Sequence, residues 1–153
     1  MESKVGVIEN PRILLIEDNP DHAEIVMRHI KMLECPSSIT HLHDGEEAIH
    51  FFQRLESNAS SIVSNLPSVV LLDLRLPRID GLEILKAIKA NQKFKNLPVI
   101  ILSTSKAESD VTRALELGAD DYLVKPFNQS MLLEIFNRFF FKGKAAEDGC
   151  KQR

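Results

Sequence analysis

The sequence predicts an α/β fold: a doubly wound, five-stranded parallel sheet in strand order 2-1-3-4-5, with helices on both faces. Five short apolar runs alternate with five segments of helical periodicity along the 153 residues, which is typical of this class. Three of the runs are continuously aliphatic, which indicates strands that are buried on both faces. With 44% hydrophobic residues, the chain can bury one core without disulfides, so we expect a single domain.

The first two strand–helix units lie in the N-terminal part of the chain. Residues 12–17 (RILLIE) form a short apolar run, and Pro20 opens a helix in which aliphatic residues such as Ile25 recur at helical spacing. The second run, 38–43 (SITHLH), alternates and contains β-branched residues, as strands do. An Asp-Gly turn then leads into a helix over 46–55, which carries an apolar face.

Three further units follow 56–65, a Ser- and Asn-rich stretch that predicts a long surface connection. The remaining strands are expected at 68–73, 98–103 and 121–125. The remaining helices are expected from Leu82 onward, over 108–117, and from Asn128 to about Phe141. Gly118 follows the fourth helix, where glycine suits the left-handed cap position. We therefore expect an N-terminal extension over 1–11, one domain over 12–141 and a C-terminal tail over 142–153.

Polar residues stand at the carboxyl ends of four predicted strands: Glu17 with Asp18, Asp73, Ser103 and Lys125. In such sheets the ligand crevice lies beyond these ends where the strand order reverses, here between strands one and three. Three carboxylates in one crevice repel one another unless their pKa values rise or a cation lies among them. Mg²⁺ prefers such oxygen ligands, and with Lys125 it would balance the three negative charges. Alternatively, Asp18 and Asp73 only cap the helices that follow them.

These residues also form a family pattern. The pair Glu17-Asp18, the stretch 73–81 (DLRLPRIDG), Ser103 and the run 122–127 (YLVKPF) together resemble the receiver domain of two-component response regulators. The resemblance extends over nearly the whole chain. It implies a flavodoxin-like (βα)5 fold and a signalling protein that catalyses only its own phosphorylation and dephosphorylation.

The resemblance implies a role for each acid of the crevice. Asp73 would accept a phosphoryl group from a phosphohistidine on a sensor histidine kinase. Asp18, Asp73 and the backbone carbonyl of Arg75 would bind Mg²⁺ directly, while Glu17 would act through water. The metal would neutralise the phosphoryl oxygens during an in-line transfer. Glu17 stands where aspartate is frequent in the family, so an acid is kept at this position.

The resemblance also implies a conformational switch. Lys125 would pair with one phosphoryl oxygen, and Ser103 would hydrogen-bond another. Movement of Ser103 would vacate space into which Tyr122 can rotate, so the surface of helix four, strand five and helix five would report phosphorylation. Ser103 replaces a frequent threonine and Thr104 a frequent small residue, and we expect narrower access to the acyl phosphate. Arg75, beside the site, could change the rate of its hydrolysis in either direction.

The last predicted helix carries four phenylalanines: Phe136, Phe139, Phe140 and Phe141. The three consecutive rings cannot all face one core on a helix that turns 100° per residue. Because an exposed aromatic patch usually marks an interface, we expect a homodimer through helix five and strand five. The alternative is a helix that packs more deeply than usual. The single domain and the long connection before strand three are similar to regulators that serve phytochrome-type sensor kinases.

Composition and motifs disfavour other functions. The net charge of -3 and the absence of a helix-turn-helix indicate no nucleic-acid partner, and no apolar run is long enough for a membrane span. Two cysteines fit a reducing compartment, so we expect the cytoplasm. A haloacid dehalogenase-type phosphatase would need an acid two residues after the nucleophile, where Arg75 stands. A phosphorelay intermediate that passes its phosphoryl group to a histidine phosphotransfer protein would keep every site residue and stays open.

Overall fold

The computed structural model describes residues 10–33, 37–58 and 66–140, and it has the predicted fold. Five parallel strands form one sheet in the order β2-β1-β3-β4-β5. The strands are β1 (Arg12–Ile16), β2 (Ser38–Leu42), β3 (Val69–Asp73), β4 (Val99–Ser103) and β5 (Asp121–Val124). The helices are α1 (Pro20–Lys31), α2 (Gly45–Ser57), α3 (Gly81–Ala90), α4 (Glu108–Glu116) and α5 (Gln129–Phe140).

The core consists of two layers that the sheet separates. Alternate residues of β1 point to opposite faces, so Ile13 packs in the layer that α1 and α5 cover, while Leu14 packs under α2, α3 and α4. The strands β1, β3 and β4 occupy the centre of the sheet, and their aliphatic side chains are almost fully buried. This double burial explains why their sequences are continuously apolar.

Neither Asp18 nor Asp73 is the N-cap of the helix that follows it. Asn19 is the N-cap of α1, and its Oδ1 accepts from the backbone N–H groups of Asp21 and His22 at 2.9 and 3.1 Å. The N-cap of α3 is Asp80, seven residues after β3 ends. The alternative that Asp18 and Asp73 serve only as helix caps is therefore wrong.

An ion pair fixes α3 to the edge of the sheet opposite the strands' carboxyl ends. The Lys89 ammonium donates to the Leu97 carbonyl at 2.7 Å and to Asp120 Oδ2 at 3.1 Å. The same Asp120 oxygen accepts from the backbone N–H of Val99, the first residue of β4, at 2.8 Å. Gly118 precedes this contact with a φ of 107°, as expected for the residue that follows a helix in the left-handed region.

The aromatic cluster of α5 is placed differently from the sequence-based expectation. Phe136 and Phe140 are 1% and 0% exposed in the layer that also contains α1, so the prediction that these two rings lie in an intermolecular interface is wrong in this fold. Their i, i+4 spacing directs both rings to the core. Phe139 packs partly against the same layer, and the Arg138 guanidinium lies 5.2 Å from its ring centroid. Phe141 lies outside the described residues.

Two smaller differences concern the surface. Ile25, which was expected on the apolar face of α1, is 48% exposed, because the buried stripe of this helix runs through Ala23, Val26 and Ile30. Helix α2 continues to Ser57, and most of the predicted 56–65 connection lies outside the described residues. Among the described helices, none combines the length and the apolar character that crossing a bilayer requires.

Candidate functional site

The strand-end residues converge as the sequence predicts. A pocket of about 230 Å³ lies at the carboxyl edge of the sheet, between β1 and β3. It is lined by Glu17, Asp18, Asn19, His22, Asp73, Arg75, Ser103, Thr104 and Lys125. Each of β1, β3, β4 and β5 contributes at its carboxyl end because parallel strands end at the same edge of the sheet.

Three carboxylates form an acidic cluster in this pocket. One oxygen from each of Glu17, Asp18 and Asp73 lies within 4.8 Å of the others. Glu17 is 0% exposed and Asp73 is 7% exposed, whereas Asp18 is open to solvent. A set of only oxygen donors, with one side facing water, fits a hard divalent cation that keeps part of its water shell. The cluster could therefore bind a metal ion.

The burial of Asp73 beside another acid changes the pKa of its carboxyl group. Burial disfavours its charged form and raises its pKa from 3.8 to about 7, and the neighbouring Glu17 carboxylate contributes in the same direction. The Lys125 ammonium and the backbone N–H of Arg75 lower the pKa and only partly offset the burial. A cation in the cluster would favour the charged form of Asp73, since opposite charges at short distance stabilise each other.

Lys125, the residue that follows β5, lies beside two of these acids. Its Nζ is 2.6 Å from Glu17 Oε1 and 3.6 Å from Asp73 Oδ1, and its side chain is 9% exposed. The backbone N–H of Lys125 donates to the Ser103 carbonyl at 2.7 Å, which fixes the start of the side chain beside β4. The structure thus brings together Lys125 and the acids, with Glu17 as the nearest partner of the ammonium.

Ser103 connects the pocket to the loop that precedes α4. Its hydroxyl is buried and accepts from the backbone N–H of Ser105 at 3.0 Å, so its own proton is free to be donated elsewhere. The hydroxyl of Ser105 donates to Asp110 Oδ2 in the first turn of α4 at 2.6 Å. Tyr122 is half-buried, and its hydroxyl donates to the Ser105 carbonyl at 3.1 Å. The predicted switch residues Ser103 and Tyr122 therefore share one loop residue.

Arg75 reaches away from the acidic cluster. Its backbone N–H lies 3.5 Å from Asp73 Oδ1, while its guanidinium is 72% exposed and 3.9 Å from Asp110 Oδ2. The ion pair is long and solvated, so it contributes little to stability. It nevertheless places a positive charge at the mouth of the pocket.

Sequence reasoning missed four polar residues of this region: Asn19, His22, Ser105 and Asp110. His22 follows Glu17 by five residues and lies in the first turn of α1, so its position near the pocket could have been inferred from the helix start. Ser105 and Asp110 resemble ordinary residues of a loop and of a helix N-terminus, and only the side-chain contacts identify them.

Comparisons with known proteins identify the family to which this chain belongs. The family model of the response regulator receiver domain matches residues 13–137. The probable methanogenesis regulatory protein FilR2 of Methanothrix harundinacea is 40% identical over 116 residues, which cover 76% of this chain and 72% of FilR2. Response regulator Rcp1 of Synechocystis sp. is 36% identical over 123 residues, or 80% of this chain and 82% of Rcp1.

Two solved structures are similar over most of their length. The Mn(2+)-bound form of response regulator Rcp1 superposes with a TM-score of 0.70 at 33% identity, covering 88% of this chain and 97% of that chain. The phosphorylated cyanobacterial phytochrome response regulator RcpA gives a TM-score of 0.71 at 28% identity, covering 89% and 97%. The chain belongs to the receiver-domain family of two-component response regulators. Proteins of this family are signalling partners of histidine kinases.

Proposed function

We propose that this protein is a response regulator that accepts a phosphoryl group on Asp73 from a sensor histidine kinase, in a Mg²⁺-dependent reaction. The observation that carries this proposal is the burial of Asp73 within an acidic cluster, with the Lys125 ammonium 3.6 Å from its Oδ1. An acid with only a structural role would not stabilise the fold from a position that raises its pKa to about 7.

We assign the receiver domain to residues 12–141. We also propose a cytoplasmic location on the basis of the two cysteines in the sequence.

The acidic cluster provides the ligands for the metal in this proposal. Asp18, Asp73 and the backbone carbonyl of Arg75 would hold Mg²⁺ directly, and Glu17 would act through water. When bound, Mg²⁺ neutralises charge on the transferring phosphoryl oxygens. The crystal structure of the Mn(2+)-bound form of Rcp1, a related chain, supports a divalent-metal site.

The chemical step is nucleophilic. A carboxylate oxygen of Asp73 attacks the phosphorus of a phosphohistidine, the P–O bond forms, the P–N bond breaks, and the imidazole of the kinase leaves with the electron pair. Lys125 then donates to one phosphoryl oxygen, and Ser103 can donate its free hydroxyl proton to another. Charge-assisted hydrogen bonds of this kind are about twice as strong as neutral ones. Ser103 is the last residue of β4 and Lys125 directly follows β5, so both groups lie at the same edge of the sheet as Asp73.

The signal would leave through the surface formed by α4, β5 and α5. When Ser103 moves toward the phosphoryl group, its hydrogen bond with the Ser105 N–H must lengthen or break. Tyr122 is bonded to the carbonyl of the same loop residue at 3.1 Å, so the loop movement would change the position of the ring. The inactive and active conformations differ by only a few kcal/mol in free energy, so the new phosphoryl charge needs to change this difference by a similar amount.

We further propose a homodimer through α5 and β5, with a phytochrome-type kinase as a candidate partner. Because Phe136 and Phe140 are buried, Phe139 is the aromatic ring of the described helix that such an interface would use. The similarity to RcpA, a phytochrome response regulator, supports the choice of kinase. Sedimentation of wild type and Phe139→Glu, with and without phosphodonor, tests the dimer, and an identical monomer mass for both would contradict it.

The phosphoacceptor is tested by labelling with a radioactive small phosphodonor in the presence of Mg²⁺. Wild type should acquire one hydroxylamine-labile label, and Asp73→Asn should acquire none. Asp21→Asn, which changes an exposed acid of α1 outside the pocket, is the matched control and should be labelled like wild type. Equal labelling of Asp73→Asn and wild type would contradict the assignment.

A further inference from the structure

Three acceptors surround the ammonium group of Lys125. Glu17 Oε1 lies 2.6 Å, His22 Nδ1 3.2 Å and Asp73 Oδ1 3.6 Å from Nζ. An ammonium group carries three N–H donors and no acceptor. His22 Nδ1 must therefore act as the acceptor in its contact with Lys125, which places the proton of the neutral ring on Nε2. Two N–H bonds of Lys125 thus have hydrogen-bond partners, Glu17 and His22, while Asp73 is an ion-pair partner at 3.6 Å.

Local structure fixes the two closest partners. Asn19 Oδ1 accepts from the backbone N–H of His22 at 3.1 Å, which holds the first turn of α1 beside the pocket. The backbone N–H of Asn19 donates to Glu17 Oε2 at 3.2 Å, so the other oxygen of this carboxylate remains for Lys125. Glu17 is fully buried, whereas the His22 side chain is 40% exposed. Burial in the core therefore does not account for the position of the imidazole. Its Nδ1 lies 3.2 Å from Lys125 Nζ and, at longer range, 4.0 Å from Glu17 Oε2, so Lys125 is the nearer polar partner.

We propose that His22 is a positioning residue for Lys125. Glu17 and His22 accept two of the N–H bonds, which leaves the third for Asp73, whose Oδ1 lies 3.6 Å from Nζ, and, after transfer, for a phosphoryl oxygen. A lysine side chain has several rotatable bonds and loses much conformational freedom when it is held. A second fixed acceptor would keep the ammonium in place before the phosphodonor arrives. This inference rests on the proposed phosphorylation of Asp73 and adds a residue to it.

The test compares two substitutions that differ in one property. His22→Gln keeps a side-chain oxygen that can accept from Lys125, while His22→Leu removes the acceptor and keeps an apolar side chain. His50→Leu, which changes an exposed histidine of α2, is the control for loss of an imidazole elsewhere. The first measurement is the rate of labelling by a small phosphodonor at saturating Mg²⁺, and thermal melting checks that each variant is folded.

We expect His22→Leu to be labelled about three- to tenfold more slowly than wild type, in line with the loss of one charge-assisted hydrogen bond. His22→Gln should recover most of the rate, and His50→Leu should match wild type. Equal rates for His22→Leu and wild type, or a glutamine variant as slow as the leucine variant, would overturn the inference.

A second measurement does not depend on phosphorylation. The ¹H–¹⁵N ammonium signal of Lys125, assigned by its absence in Lys125→Arg, should be sharp in wild type and in His22→Gln. It should be broadened or shifted in His22→Leu, because the ammonium is less firmly held and exchanges faster with water. An unchanged signal overturns the positioning role. If Asp73→Asn is labelled like wild type, the proposed function is refuted instead. Failure of the positioning role of His22 and failure of the phosphoacceptor assignment therefore give different results.

Discussion

Replacing Asp73 with asparagine should stabilise the metal-free protein at pH 8. Burial, with a contribution from Glu17, raises the pKa of the Asp73 carboxyl from 3.8 to about 7, even though Lys125 opposes the change. A difference of about three pH units corresponds to about 4 kcal/mol of free energy against folding when Asp73 is charged. Asparagine cannot ionise, so we expect a gain of about 2–4 kcal/mol in the free energy of unfolding.

Because the pKa of Asp73 is raised in the folded state, the effect has a defined pH window. The folded state holds the Asp73 proton more tightly than the unfolded state, so wild type loses stability as the pH rises from about 4 to about 7. Below that window the carboxyl is protonated in both states, and the variant has no advantage. At pH 5 the gain of the asparagine variant should be less than half of its value at pH 8.

Urea unfolding followed by circular dichroism, in EDTA at pH 5 and pH 8, measures this difference. Asp18→Asn is the matched comparison, because it removes a charge from the same cluster at an exposed position, and its gain should be smaller. Saturating Mg²⁺ should stabilise wild type more than Asp73→Asn, since a ligand that binds the folded state shifts unfolding by mass action. A gain that is equal at both pH values, or a loss at pH 8, would refute the reasoning.

Three further substitutions test other parts of the structure. Gly81→Ala places a β-carbon 2.3 Å from a backbone carbonyl oxygen at the end of β3, and urea unfolding should show a loss of roughly 1–3 kcal/mol. Asp120→Ala leaves the buried N–H of Val99 without its acceptor and should cost about 1–3 kcal/mol in the same assay. Asp110→Ala removes the acceptor of the Ser105 hydroxyl, and the fluorescence of the single tyrosine should rise as its hydrogen bond to the loop weakens, while an unchanged spectrum would contradict this coupling.

The fold could be predicted because the sequence repeats one simple pattern. Strands buried on both faces must be continuously apolar, and parallel strands bring their carboxyl ends to one edge, so the meeting of Asp18, Asp73 and Lys125 followed from topology. The burial of Phe136 and Phe140 could not be predicted in the same way. Helical periodicity tells which residues share a face, but it does not tell how much of that face a neighbouring helix covers. Side-chain contacts such as that of His22 depend on rotamers, which the sequence pattern does not determine.

The cost of charging Asp73 and its proposed reaction have a common physical basis. As a free carboxylate, Asp73 places its charge inside the pocket, beside the charged side chain of Glu17 and with little access to water. Phosphorylation would replace the single carboxylate charge with a phosphoryl group that carries about two negative charges on oxygens farther from the backbone, because the carboxyl group of the acyl phosphate is neutral. There the donors that the pocket already directs inward, the Lys125 ammonium and the free proton of the Ser103 hydroxyl, can bind it. The Lys125 ammonium and the Ser103 hydroxyl, which cannot fully offset the burial of the unmodified carboxylate, would therefore form their stronger contacts with the phosphorylated side chain, and the contact with Ser103 would connect phosphorylation to the loop beyond it.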